Sequence, residues 1–169
     1  MNDVEANTHS VIVRGHPGVL TQTARTDSHQ LVSDEPLSLG GLDIGPTPYD
    51  LLLASLGACT AITLRMYATR KGWPLEDVEV SLSHDRIHAE DCADCEAETG
   101  MVDRIDRDIR IIGDLDREQR QRLLQIADAC PVHKTLSNEI HIVTRGLDTD
   151  QLAQVNPEPR SPAQPGLRE

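Results

Sequence analysis

The stretch Gly45-Pro46-Thr47-Pro48-Tyr49-Asp50-Leu51-Leu52-Leu53-Ala54-Ser55-Leu56-Gly57-Ala58-Cys59 decides the fold. Its two prolines bias the residues before them away from helix, and Pro48 suits the first helical position. From Tyr49 to Lys71 the pattern is helical: Leu52, Leu56, Cys59, Ile62 and Met66 recur at spacings of three and four. Leu51, Leu53, Ala54 and Ala58 spread apolarity around the cylinder. A helix apolar on nearly every side is expected inside something, its own domain or a dimer. Gly72-Trp73-Pro74 ends it.

The flanking segments read as β structure with two further helices. Before the helix, Val11 to Arg14, Val19 to Thr26 and His29 to Ser33 form a meander, punctuated by Gly15-His16-Pro17-Gly18 and Asp27-Ser28. Residues 34–48 read as loop. After the helix, Val78, Val80 and Leu82 alternate with polar residues towards His88, and a second strand runs from Met101 to Ile112. On that strand Ile105, Ile109 and Ile111 share one face with Arg107. Asp114 or Asp116 caps a helix whose stripe is Leu123, Leu124, Ile126 and Ala127. A short helical turn over Pro131 to Leu136 and a strand over Glu139 to Thr144 complete the pattern. Strands, a long buried helix, then strands and helices together indicate an α+β fold. The expected layout is a disordered N-terminus over residues 1–9, one domain over 10–146 and a Pro-rich flexible tail over 147–169.

Composition narrows the function. The 169 residues carry a net charge of -12, which argues against nucleic acid and anionic membrane surfaces as partners. Two Tyr, one Trp and no Phe leave an aliphatic core and almost no rings for base stacking or cation cages. Met1 to Ser10 is polar and acidic, unlike a secretory signal, and the apolar run Leu51 to Leu64 is shorter than a membrane span. These features lead to the expectation of a soluble, cytoplasmic protein, where cysteines are more often reactive or metal-binding than structural.

The four cysteines stand at 59, 92, 95 and 130. Cys59 lies mid-helix on an apolar face, either a small buried hydrophobe or a thiol activated by a cation from another segment or subunit. Arg65, six residues on, lies about 240° around the helix and does not serve. Cys130 precedes Pro131 and reads as an N-cap, a setting that stabilises thiolate, with His133 and Lys134 within a turn. The alternative is an ordinary cap beside a solvated histidine. His84-x3-His88-x3-Cys92-x2-Cys95 resembles a zinc site, although His84 and His88 on one extended strand would stand roughly 13 Å apart. His88, Cys92 and Cys95 are the candidate ligands of a structural zinc, with reduced loop thiols or a local redox pair as alternatives. Asp50 sits in the first turn of the long helix, where the helix dipole favours an acid.

Taken together, the Gly45–Cys59 stretch and Ala129-Cys130-Pro131-Val132-His133-Lys134-Thr135-Leu136 resemble the OsmC/Ohr family of peroxide-reducing proteins, in a divergent subgroup. The resemblance covers about residues 10–145. It implies an intertwined homodimer, with curved antiparallel sheets wrapped around long central helices. It also implies thiol-dependent reduction of organic hydroperoxides, with an external dithiol as reductant and no required cofactor. Carried over, Cys59 is the peroxidatic and Cys130 the resolving cysteine. The family's Asn-Pro-Glu is replaced by Thr47-Pro48-Tyr49, with Asp50 next door as the candidate acid. The family's activating arginine comes from the N-terminal β region, where Arg14 and Arg25 are the candidates and Arg25 is preferred. Two other uses of the chain stay open: a metal- or ligand-binding module built on the His88–Cys95 segment, and a redox-sensing disulfide protein.

Overall fold

The computed structural model describes residues 9–88 and 100–146. The N-terminal residues 1–8, the Cys92-x2-Cys95 segment and the Pro-rich tail lie outside the described residues. The described chain forms two compact units, one of residues 9–48 with 143–146 and one of Tyr49–Ile142.

In the first unit, β1 (Ile12–Gly15), β2 (Gln22–Arg25) and β3 (Gln30–Ser33) form the antiparallel meander that the turn residues anticipate. Thr26 closes the second turn, donating its N–H to His29 O and accepting the His29 N–H on its hydroxyl. The connection from Asp34 to Pro48 contains a single 3-10 turn at Leu37–Leu39. It is organised around the buried carboxylate of Asp34, which accepts from Thr21 Oγ1 at 3.2 Å, Glu35 N at 2.9 Å and Leu42 N at 3.1 Å.

The second unit is built on α1 (Pro48–Lys71), the hairpin of β4 (Leu75–His88) and β5 (Met101–Gly113), and α2 (Arg117–Ala127). The strands pair antiparallel from Leu75↔Gly113 to His88↔Met101, with an irregularity at Leu75/Asp77. Gly113 is required there: its φ is 143° and a Cβ would run into the Pro74 carbonyl. Asp116 caps α2 in a full capping box with Gln119. Arg120 ties α2 to the end of β5, donating to the carbonyls of Ile111, Gly113 and Leu115. The core joins Leu64 and Ala68 of α1 to Leu115, Leu123 and Ala127, with Val78, Ile109 and Ile111 packed against them. α3 (Pro131–Leu136) follows directly.

One expectation changes and one narrows. The pattern Glu139 to Thr144 forms no strand among the described residues, and Ile140, Ile142 and Val143 are exposed there. Alternation makes a segment ready to pair, but a strand also needs a neighbour to supply the ladder. α1 is not covered all round by its own chain either. Its buried stripe is Leu56, Gly57, Thr60, Leu64 and Ala68, whereas Ile62 and Met66 are 59% and 62% exposed. By length and composition alone α1 matches a bilayer span, but this buried stripe packs into the unit's own core.

Candidate active site

Helix α1 brings Cys59 to the start of α3, where Cys130 stands. Cys130 is the N-cap, its sulfur accepting the backbone N–H of His133 at 3.5 Å, and Pro131 occupies the first turn. The cap expected from Cys130-Pro131 is therefore present. Cys130 is fully buried and Cys59 partly so, and both are free thiols.

The two side chains hydrogen-bond to each other, and this bond separates their acidities. At Cys59, burial pushes the thiol up, and its bond to Cys130 pushes the same way, against the Val132 backbone and Thr63. At Cys130, burial also acts upward. Hydrogen bonds from Cys59, the His133 N–H, Thr60 and the Val132 backbone outweigh it, so this thiol lies below the ordinary value. When one proton leaves the pair, Cys59 keeps its S–H and Cys130 takes the negative charge. The local reading of Cys130 as the more acidic thiol agrees with this arrangement.

Thr60, beside Cys59 on α1, is fully buried and donates to the Leu56 carbonyl at 2.8 Å. It accepts from Arg107 Nη1 at 3.1 Å, and Arg107 is held by Asp128 Oδ1 at 2.8 Å. A cavity of about 350 Å³ opens beside these groups, lined by Leu56, Ile105, Leu136, Arg107, His133 and Asp103, with Ser137. Neither Arg107 nor Thr60 stands among the sequence candidates. The available signal was an arginine on a strand face otherwise made of Ile105, Ile109 and Ile111.

The other candidates stand each within its own unit. Asp50 precedes Cys59 by nine residues, about 13.5 Å along the helix and half a turn around it. It lines a groove between α1 and β4 with Leu53, Ala54, Gly57, Ala61 and Leu82. Arg25 ends β2 in the other unit, with an exposed side chain. His88 is exposed at the end of β4, and its partners in the zinc reading, Cys92 and Cys95, lie outside the described residues. His84, four residues earlier, is stacked on Tyr49 and bonded to Asp103 at 2.9 Å. Among the described residues no group of three or more His, Cys, Asp or Glu could hold a metal ion.

A model of the OsmC-like protein family matches residues 40–145, which include both thiols and Arg107. No curated protein matches. Among solved structures, an OsmC-like protein from Mycoplasma pneumoniae is 20% identical with a TM-score of 0.61, over 78% of this chain and 88% of that one. An organic hydroperoxide resistance protein OsmC from Legionella pneumophila, also described as a predicted redox protein, is 21% identical with a TM-score of 0.57, over 78% and 90%. The organic hydroperoxide resistance protein OhrB of Bacillus subtilis is 22% identical with a TM-score of 0.52, over 77% and 90%. At these identities the likeness is one of fold, and with the family match spanning most of the chain it leaves one conclusion: this chain belongs to the OsmC-like proteins.

Proposed function

We propose that this protein is a thiol peroxidase that reduces organic hydroperoxides through Cys59 and Cys130. The observation that carries the reading is the pairing of two free thiols, Cys59 on α1 and Cys130 at the N-cap of α3, from positions 71 residues apart. Two structural relatives bear the name of organic hydroperoxide resistance proteins, which agrees with a peroxide substrate. The apolar wall of Leu56, Ile105 and Leu136 beside the site suits an alkyl group better than hydrogen peroxide.

Cys59, the more accessible sulfur, meets the peroxide. As it attacks one peroxide oxygen, its S–H proton passes to the Cys130 thiolate. The O–O bond breaks, the alkoxide takes that proton and leaves as alcohol, and Cys59 becomes a sulfenic acid. Cys130, again a thiolate, attacks the Cys59 sulfur. The S–S bond forms and hydroxide leaves, protonated by solvent to water. The peroxide has gained two electrons and the thiol pair has lost them. An external dithiol returns them by thiol–disulfide exchange.

The test is consumption of cumene hydroperoxide in the presence of a dithiol, with formation of a Cys59–Cys130 disulfide followed by mass spectrometry. Cys59→Ser is expected to abolish turnover, and Cys130→Ser to stop the reaction at an oxidised Cys59. Turnover by Cys59→Ser at the wild-type rate would overturn the proposal.

A further inference from the structure

The cavity of about 350 Å³ beside the thiols has three charged or titratable residues on its wall: Asp103 and Arg107 from β5, and His133 from α3. Two of them are committed to other groups. Asp103 is bonded to His84 at 2.9 Å, and Arg107 is tied to Asp128 at 2.8 Å and to Thr60 at 3.1 Å. The His133 ring has no hydrogen-bond or ion-pair partner among the described residues. It is nevertheless half-buried, against a cavity whose wall includes Leu56, Ile105 and Leu136. A ring placed there gives up part of its water without gaining a partner, which costs free energy.

The place of His133 in the chain brings it to the thiols. It is the third residue of α3, and its backbone N–H donates to the Cys130 sulfur at 3.5 Å. Helical side chains lean towards the N-terminus, and residues three apart are neighbours, so a side chain here lies towards the cap residue. At the start of α2 the same position is Gln119, whose side chain reaches back to accept the Asp116 N–H. At α3 the cap is a thiol, and the third residue carries a ring that can hold and release a proton near neutral pH. Leu56, on the same cavity wall, stands about one turn before Cys59 on α1.

We propose that His133 is the proton donor that lets the Cys59–Cys130 disulfide close. The role rests on the peroxidase reading and concerns its second step. An electron pair from the Cys130 thiolate forms the S–S bond, and the S–O pair of the Cys59 sulfenic acid leaves with the oxygen. The protonated ring gives its N–H proton to that oxygen, so water departs in place of hydroxide. Neutral His133 then takes a proton from solvent, and no further reactant is consumed. Arg107 cannot substitute, because a guanidinium does not give up its proton.

The test is a single turnover in the full chain carrying Cys92→Ser and Cys95→Ser, so that only Cys59 and Cys130 can pair. One equivalent of cumene hydroperoxide is added without reductant. Peroxide loss reports the first step; the disulfide, and sulfenic acid trapped with dimedone, are read by mass spectrometry for the second. His133→Gln is expected to consume peroxide at the wild-type rate but to close the disulfide about 100-fold more slowly, the lower end of what a positioned general acid supplies. His133→Ala should behave alike, and free imidazole should restore closure in it as the imidazole concentration rises. A merely structural role would not respond to imidazole. Wild-type closure in His133→Gln, peroxide loss slowed by the same factor as closure, or slow closure in His133→Ala that imidazole leaves unchanged would each overturn the role. Should His133→Ala fail to fold, His133→Gln decides alone. A wild-type protein that consumes no peroxide would refute the peroxidase reading and this role with it, whereas wild-type closure in His133→Gln removes the role alone.

Discussion

Cys59 is hydrogen-bonded to Cys130: burial lifts the first thiol and the bond adds to that rise, while the same bond lowers the second thiol against its own burial. The pair therefore titrates as a unit in two steps, one below and one above the ordinary thiol value of about 8.5. With Cys92 and Cys95 replaced by serine, thiolate absorbance should show both steps. Cys130→Ser should lose the early one and keep a late one. Cys59→Ala, which removes the donor, should move the early step upward. A single transition of two thiols at the ordinary value would sink the assignment. Peroxide consumption should rise with pH through the first step, since the Cys130 thiolate both takes the Cys59 proton and closes the disulfide.

Asp34 anchors the connection between β3 and α1. Burial acts to raise its carboxyl, but the backbone N–H groups of Glu35, Leu42 and Ile44 and the Thr21 hydroxyl outweigh it and hold the group below the usual carboxylate value. A carboxylate lowered on folding adds stability above its unfolded value of about 3.9 and loses it as pH falls through the folded value. Asp34→Asn keeps the size but has one acceptor oxygen in place of two. The variant should melt below the wild type at pH 7, and the gap should narrow in acid as the native carboxylate protonates. A gap of equal size at pH 7 and pH 3 would refute this account.

Much of this architecture was legible from local chemistry. Asp114 or Asp116 announces the start of α2, where the structure selects Asp116, Pro48 announces the start of α1, and Cys130-Pro131 the cap of α3. Each depends on residues within a few positions of one another. The Arg107–Thr60 bond spans 47 residues and depends on how α1 lies across β5, which no periodicity encodes. The hidden role of Asp34 has the same origin, because Thr21 and Leu42 reach it from 13 and eight residues away. Glu139 to Thr144 failed for a different reason. Ile140 and Ile142 alternate with polar residues as a strand should, but pairing belongs to two segments, and no partner strand stands beside this one among the described residues.

Two glycines should respond differently to the same substitution. At Gly57 a Cβ would lie 2.9 Å from Leu82 Cδ1, the movable end of a side chain, on a helix where alanine gains about 1 kcal/mol of intrinsic preference. Turning Leu82 aside costs about the same, so Gly57→Ala should lie near neutral. Gly57→Val adds two more carbons at the same spot and should cost about 1–3 kcal/mol by overpacking. At Gly113 the obstacle is the Pro74 backbone carbonyl, and φ is 143°. Backbone cannot turn aside, so Gly113→Ala should destabilise by at least about 1–3 kcal/mol in denaturant unfolding. Equal stabilities for Gly57→Ala and Gly113→Ala would show that the tight approach at β5 is misjudged.

The exposed flank of α1 sets the final expectation. Ile62 and Met66 are 59% and 62% exposed, one turn apart on a helix whose opposite stripe is buried. The groove along α1 and β4, which has Ala54, Gly57, Ala58 and Ala61 on its α1 side, is also open. Small residues allow another backbone to approach closely, and the two large apolar side chains beside them gain most from being covered. A second copy of this chain, the proposed homodimer, would meet both needs. Light scattering should then give a mass near twice the 18.6 kDa of one chain. Ile62→Glu with Met66→Glu should return the protein to the single-chain mass while its own core, centred on Leu64 and Leu123, stays folded. A wild-type protein that runs as a single chain at micromolar concentration would refute the homodimer. A double variant that still runs as a dimer would place the contact on another face.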